Sequence, residues 1–286
     1  MADPAPFAEF AGVGLGIDVH NQHPDWRRLL ELRAAGELPL DFLEVYTRGE
    51  LAGARAVRAA AGDLPLLYHD DALDPILPGG LRADAVALAA ANMDALGAPW
   101  CVCELATRRV GERYLDFFLP IVLTDEAARV AAENFRFLDD RLPGRAVCEN
   151  PPYQLPVGPR HILEVQARVC EEADVPCVLD LGHLYSFQLC RGLDPLTGID
   201  DFPLERIVEL HLAGAVLDAS QGVSLYRDAH GGAELLPVLL EMLAELAPRC
   251  PSLRAVTIEV EDAGIERVVR QVEATRSALA GLLGAK

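Results

Sequence analysis

The chain has 286 residues, and its composition, 51% hydrophobic with 24% charged, excludes an intrinsically disordered protein. Acidic residues outnumber basic ones by 44 to 25, and the formal charge of −19 makes nucleic acid and anionic membrane surfaces poor partners. The sequence contains no apolar run of the roughly 20 residues that a membrane span needs and begins without a signal-peptide pattern, so we expect a cytoplasmic protein.

Short apolar runs alternate with Ala- and Leu-rich stretches of helical period along the chain. The runs predict eight strands, at 12–19, 41–46, 64–69, 99–105, 145–150, 176–181, 206–212 and 254–260. The stretches predict helices at 24–36, 50–62, 83–97, 124–142, 159–174, 233–247 and 265–283. We expect two long loops, at 108–124 and 190–203.

This alternation favours an α/β fold, a (β/α)8 TIM barrel that forms a single domain over residues 1–286. A doubly wound open sheet is the competing architecture. The sequence carries neither of the glycine-rich nucleotide-binding motifs that would support a nucleotide-binding version of that sheet.

Chemically active side chains lie at or just after the end of every predicted strand, where the active sites of such barrels gather. In chain order they are Asp18 and His20; Glu44; His69; Glu104; Glu149 and Asn150; Asp180 and His183; His211 with Asp228 and His230 in its loop; and Glu259 and Glu261. His23 lies shortly after the first set.

A convergence of so many acids predicts bound cations. One polar residue after a strand is ordinarily a loop group, but carboxylates gathered in one barrel mouth repel each other and lose hydration unless cations neutralise them. Histidine with carboxylates suits iron, manganese or zinc, and the seven cysteines form no C-x-x-C pair that would suggest thiolate ligation. The sequence therefore predicts a multinuclear metal site.

The strings that carry these residues resemble the DUF692 family, the multinuclear non-heme iron-dependent oxidases (MNIOs). GVGLGIDVH, FLEVY, LLYHDD, CENPPY, VLDLGHLY, ELHLAGA, DAH and TIEVE occur in the order seen in that family, over nearly the whole chain. The resemblance implies a xylose-isomerase-like TIM barrel that holds two or three iron ions, Fe(II) or Fe(III), with O2 as co-substrate. It also implies a ribosomally synthesised precursor peptide as substrate, modified on a Cys, Asp or Asn side chain, and a partner protein that delivers this peptide.

The resemblance also implies a set of metal ligands. Those that match the family's positions are His69, Glu149, Asp180, His211, Asp228, His230 and Glu259, of which we expect Glu149, Asp180 and His211 to be catalytic. We expect substrate-binding or supporting roles for His20, Glu44, Glu104 and Asn150.

Two positions depart from the family pattern. Leu105 stands where the family's Ser-Glu-His has histidine, and His183 stands at the last position of its Asp-x-Asn-Asn. We include His183 among the metal ligands, because its imidazole can replace the missing one.

Other functions remain open on the same barrel. A divalent-metal-dependent sugar isomerase or epimerase would use Glu149, Asp180, His211 and Glu259 around one or two ions, with proton transfer by Glu or His. A peptide-binding relative without catalysis is the second alternative, supported by Leu105 alone. A phosphodiester endonuclease would meet strong repulsion between DNA and the acidic surface.

Overall fold

The computed structural model describes residues 12–20, 25–46, 51–220, 223–261 and 263–283, so His23 lies outside the described residues. The helices are α1 Trp26–Ala34, α2 Leu51–Ala61, α3 Ala83–Leu96, α4 Asp125–Asp139, α5 Ile162–Ala173, α6 Leu181–Arg191, α7 Pro237–Leu246 and α8 Ile265–Ala278. The strands are β1 Gly14–His20, β2 Phe42–Tyr46, β3 Leu66–His69, β4 Trp100–Glu104, β5 Ala106–Val110, β6 Arg113–Pro120, β7 Arg145–Glu149, β8 Cys177–Asp180, β9 Ile207–Ala213, β10 Ala215–Ser220, β11 Val223–Asp228 and β12 Ala255–Glu259.

Eight of these strands close into a parallel barrel in the order β1-β12-β9-β8-β7-β4-β3-β2. Each one coincides with one of the eight predicted apolar runs, and the predicted TIM barrel is confirmed. Because all eight run in the same direction, their carboxyl ends share one face, which we call the barrel mouth. In the described ranges, every helix falls short of the length and apolar character that a membrane crossing requires.

The two segments predicted as long loops are more ordered than expected. Most of 108–124 belongs to the antiparallel hairpin β5–β6, which follows β4 at the mouth. A second hairpin, β10–β11, follows β9. Part of 190–203 belongs to α6, a helix that periodicity did not predict because it follows β8 without an intervening loop. Asp180 ends the strand and also caps the helix, since its side chain accepts a hydrogen bond from the His183 backbone N–H.

Apolar side chains fill the lower barrel and leave its upper part to polar groups. The floor consists of Phe42, Leu67, Trp100, Val102, Val147, Val178, Val208 and Ala255, all buried. Gly16 admits the Phe42 ring, because a Cβ there would lie 2.3 Å from it. In a strand, alternate residues face the same side, so the side chains two positions beyond five of the floor residues point into the barrel near its mouth: Glu44, His69, Glu104, Glu149 and Asp180. This periodicity places the acids and histidines at the strand ends together.

Candidate metal centre

Four buried side chains from four barrel strands form the central group: His69 on β3, Glu149 on β7, His211 on β9 and Glu259 on β12. Glu149 lies in the middle, with Oε2 2.9 Å from His69 Nε2 and Oε1 2.9 Å from His211 Nδ1. Glu259 Oε1 is 3.6 Å from the same His211 Nδ1. Ligands about 2.1 Å from one ion and at right angles to each other lie about 3 Å apart, so these spacings suit a shared cation.

A second set of donors, the hairpin-side group, comprises His183, His230 and Glu259. Glu259 Oε2 is 3.3 Å from His230 Nε2, so each of the two Glu259 oxygens faces a different donor group. Asp228, at the end of β11, lies between the histidines, with Oδ2 3.1 Å from His183 Nε2 and 2.9 Å from His230 Nε2. The two groups are therefore adjacent, and Glu259 could contribute one oxygen to an ion in each of them.

A third set of donors, Glu149, Asp180 and His183, connects the other two groups. Asp180 Oδ1 lies 3.8 Å from His183 Nδ1. The structure thus brings all eight predicted ligands to one place in the barrel mouth.

Two of the histidines are each held by a hydrogen bond through one ring nitrogen. His230 Nδ1 lies 2.6 Å from Glu261 Oε2, and His183 Nδ1 donates to the Asn150 carbonyl at 2.8 Å. His211 Nε2 lies 3.2 Å from Glu44 Oε2, close enough for an ion pair but without hydrogen-bond geometry. Histidines that bind metals usually donate their second N–H to a carboxylate or carbonyl, which fixes the tautomer and the ring orientation.

Glu209, which sequence reasoning missed, lies directly beneath His211. It is fully buried on β9, with Oε1 3.5 Å from His211 Nε2. Trp100 Nε1 donates to Glu209 Oε2 at 2.8 Å, and the Thr257 hydroxyl donates to Oε1 at 2.5 Å. The Glu-Leu-His spacing was the available signal, because residues two apart on a strand face the same side.

The remaining predicted residues surround these groups. Asn150 brackets the Asp180 backbone: its amide donates to the Asp180 carbonyl, and its carbonyl accepts from the Asp180 N–H, both at 2.9 Å. Glu104 Oε1 is 3.7 Å from His183 Nδ1. His20 lies at the end of β1, with its ring centroid 5.9 Å from that of Tyr46, and it belongs to none of the donor groups found among the described residues.

Leu105 does not face the metal-ligating groups. Its side chain is fully buried and packs in the main apolar core, which contains most of the buried helix residues. His183 instead lies with His230 and Glu259 in the hairpin-side group.

Burial and mutual charge shift the pKa values of the cluster strongly. Burial opposes protonation of His69, but the hydrogen bond and charge of Glu149 outweigh it and raise the His69 pKa to about 10. Burial raises the pKa of Glu259 to about 8, although the charges of His230 and His211 act against it. Glu149 behaves oppositely: burial would raise its pKa, but His211 and His69 hold it below the usual range. Without a cation, the cluster retains protons that metal ligands must lose.

Several buried donor atoms lack a hydrogen-bond partner among the described residues, and this pattern fits a cation. They include Glu149 Oε1, Asp180 Oδ2, His211 Nδ1, Asp228 Oδ1 and Glu259 Oε2. Glu149 Oε1 and His211 Nδ1 are 2.9 Å apart yet lack hydrogen-bond geometry. Buried polar groups are seldom left unpaired, so atoms that converge in this way are suited to bind metal ions.

Comparisons with solved structures show the fold. Endonuclease IV from Thermus thermophilus superimposes with a TM-score of 0.60 at 19% identity, covering 94% of this chain and 99% of the other. A xylose isomerase domain-containing protein from Salmonella typhimurium gives 0.60 at 14% identity, covering 93% and 97%. The IolI protein, described with a bound zinc atom, gives 0.62 at 12% identity, covering 96% and 100%. The barrel is therefore xylose-isomerase-like.

Sequence comparisons show the family. A UPF0276 protein of Pseudomonas aeruginosa is 30% identical over 262 residues, covering 87% of this chain and 85% of the relative. A UPF0276 protein of Caulobacter vibrioides is 26% identical over 228 residues, covering 77% of each. The profile described as "RiPP precursor modification enzyme MbnB/TglH/ChrH" matches residues 10–279. The chain therefore belongs to the MbnB/TglH/ChrH family of enzymes that modify ribosomally synthesised precursor peptides.

Proposed function

We propose that this protein is a multinuclear non-heme iron-dependent oxidase that uses O2 to modify a Cys, Asp or Asn side chain of a precursor peptide. The observation that carries the proposal is the pair of adjacent buried donor groups that share Glu259, in a chain whose family acts on precursor peptides. Two adjacent ions held by these groups would supply the redox chemistry that side-chain oxidation with dioxygen needs.

The donor chemistry supports iron. The three donor groups described above, and a fourth formed by Glu44, Glu209 and His211, combine imidazole with carboxylate and contain no thiolate, a combination that suits redox-active iron. Bound iron would supply the electron transfer to dioxygen that amino-acid side chains cannot perform. The protein holds the ligands in fixed orientations through Glu261, Asn150, Glu44 and Glu209.

Glu104 is the side chain that we assign to proton transfer from the substrate. It is buried at the mouth beside His183. Burial, helped by the charge of Glu149, raises its pKa to about 7, while His183 opposes the shift. A carboxylate with a pKa near neutrality can accept the proton of an entering thiol or carboxylic acid and later return it.

The surface around the mouth supports a peptide substrate. Eight exposed, large apolar side chains of the described residues lie in segments that follow the carboxyl ends of barrel strands: Val110, Tyr114, Phe117, Val122, Leu155, Val157, Leu217 and Leu225. Apolar side chains concentrated on one face mark an interaction surface. The formal charge of −19 would attract a basic peptide segment or the basic face of a delivering partner protein.

The β5–β6 hairpin is fixed to the barrel and can serve as a stable wall for this peptide. Asp71 Oδ2 lies 3.1 Å from Arg108 Nε. Asp74 Oδ1 accepts hydrogen bonds from the Thr107 hydroxyl at 2.7 Å and from the Arg108 backbone N–H at 2.9 Å. The Arg108 guanidinium stacks on Phe118, 4.0 Å from the ring centroid.

The test is oxygen uptake by iron-loaded protein with synthetic candidate precursor peptides, followed by mass spectrometry of the peptides. We expect O2 consumption that requires both iron and peptide, and a mass change on one Cys, Asp or Asn residue. Full activity on a sugar with Mn²⁺ or Mg²⁺ in the absence of O2 would contradict the proposal and favour an isomerase. A peptide that binds tightly without any mass change would favour the non-catalytic alternative.

A further inference from the structure

Tyr226, on β11, presents a buried hydroxyl group to the candidate metal centre. Its side chain is 3% exposed, and its Oη has no hydrogen-bond partner among the described residues. Tyr226 precedes Asp228 by two positions on the strand, so both side chains point to the same face. The Tyr185 ring packs edge-on against it, with the centroids 6.1 Å apart, and limits its movement.

Gly182 makes the room that this hydroxyl occupies. A Cβ at position 182 would lie 2.2 Å from Tyr226 Oη and 3.3 Å from Asp180 Oδ1. Tyr226 Oη is therefore held against the α6 backbone, beside the Asp180 carboxylate. A glycine is required here because of this close approach, since any side chain would displace the phenol.

The surroundings of the hydroxyl contain further unpartnered atoms. Two carboxylates neighbour the hydroxyl: Asp180, beside the same point of α6, and Asp228, two positions further along β11. Each has one buried oxygen, Asp228 Oδ1 and Asp180 Oδ2, without a hydrogen-bond partner among the described residues. A phenol donor beside two such oxygens is the arrangement expected where a bound ion and its exogenous ligand complete the contacts.

We propose that Tyr226 donates a hydrogen bond to the small anionic ligand of a metal ion bound at His183, between Asp180 and Asp228. This inference rests on the proposed function, because it places a metal ion at that position. The ligand is an anionic atom of the substrate, such as a thiolate or a carboxylate oxygen. The phenol, whose ordinary pKa is about 10, retains its proton at neutral pH and can act as the donor.

The experiment uses Co²⁺-loaded full-length protein and azide as the anionic probe, with visible absorption of the cobalt ions reporting azide binding. Tyr226→Phe removes only the hydroxyl and is expected to weaken azide binding about tenfold or more, with unchanged cobalt content, because a hydrogen bond to a charged acceptor is lost. Tyr185→Phe is the matched control, since it removes the neighbouring hydroxyl, and its azide affinity should equal that of the wild type.

Gly182→Ala provides a second perturbation of the same contact. We expect its Cβ to displace the phenol and to weaken azide binding as Tyr226→Phe does. The double variant should bind azide no more weakly than Tyr226→Phe alone. With Phe at position 226, the nearest side-chain atom to the new Cβ is a ring carbon 3.2 Å away, so the Ala side chain has no hydroxyl to displace.

Equal azide affinity in wild type and Tyr226→Phe, at equal cobalt content, would overturn the inference, as would additive losses in the double variant. The cobalt readout is independent of dioxygen chemistry. A wild-type protein that binds cobalt and azide but consumes no O2 with any peptide would therefore overturn the proposed function and leave this inference supported by the azide result. A wild-type protein that takes up no metal would overturn both.

Discussion

Metal binding to the metal-free protein is expected to release protons and to strengthen steeply as the pH rises. The His69 pKa is raised to about 10 and the Glu259 pKa to about 8. At pH 7, His69 is therefore fully protonated and Glu259 is about nine-tenths protonated, and both must lose their protons to bind a metal. Glu149, whose pKa lies below the usual range, is already ionised and contributes none.

These two groups and His211, whose pKa is also raised, together release at least two protons per ion in the central group at pH 7. Each released proton makes the apparent association constant rise about tenfold per pH unit, so two give about 100-fold. The slope should fall by about one proton above about pH 8, where Glu259 is ionised, and by another above about pH 10, where His69 loses its proton.

The assay is an anaerobic calorimetric titration of Co²⁺ into metal-free protein, in two buffers with different protonation enthalpies. Glu259→Gln is the matched variant, and it should release about one proton fewer at pH 7. Release of less than one proton by the wild type at pH 7, or an affinity that does not change between pH 6.5 and 7.5, would refute the electrostatic reasoning.

Three substitutions test individual parts of the site. Glu259→Gln is expected to lower metal occupancy in both donor groups, by about 10-fold or more in affinity, and loss of only one ion would show that Glu259 does not bridge. Glu209→Gln should keep the fold and the metal content but change the visible absorption spectrum of the cobalt-loaded protein, because the charge beside His211 is lost. An unchanged spectrum would show that Glu209 does not influence the metal site. Leu105→His should lower the free energy of unfolding by about 2–4 kcal/mol in chemical denaturation, because it buries an imidazole in the apolar core. A gain of one metal ion in that variant would contradict the position of Leu105 outside the site.

Most of the fold could be predicted from the sequence, because buried parallel strands appear in it as short, nearly continuous apolar runs. All eight apolar runs became barrel strands, and Thr124 caps α4 as its position before Asp125 and Glu126 predicts. The missed helix α6 begins at the residue after the last residue of β8, with a sequence, LGHLYSFQLCR, whose apolar periodicity is weak because both faces are largely buried. The hairpins were missed because their exposed apolar residues do not alternate as in a half-buried strand.

The residues of the candidate site that could be predicted from the sequence are those that project directly from the ends of the strands. Glu149, Asp180, His211 and Glu259 fall into this class, because the barrel fixes their direction. Glu209 and Tyr226 were not predicted. The first lies one layer deeper than the strand ends, and the second lies on a hairpin whose packing against α6 depends on the three-dimensional fold. The ligand roles themselves stay predictions until a metal is measured.

The measurement that tests the account most directly is the metal content of anaerobically purified protein, by elemental analysis, together with Mössbauer spectroscopy of iron-57-enriched material. We expect two or three iron ions per chain, of which two form an antiferromagnetically coupled pair. A single zinc, manganese or magnesium ion per chain, with no iron taken up on reconstitution, would contradict it.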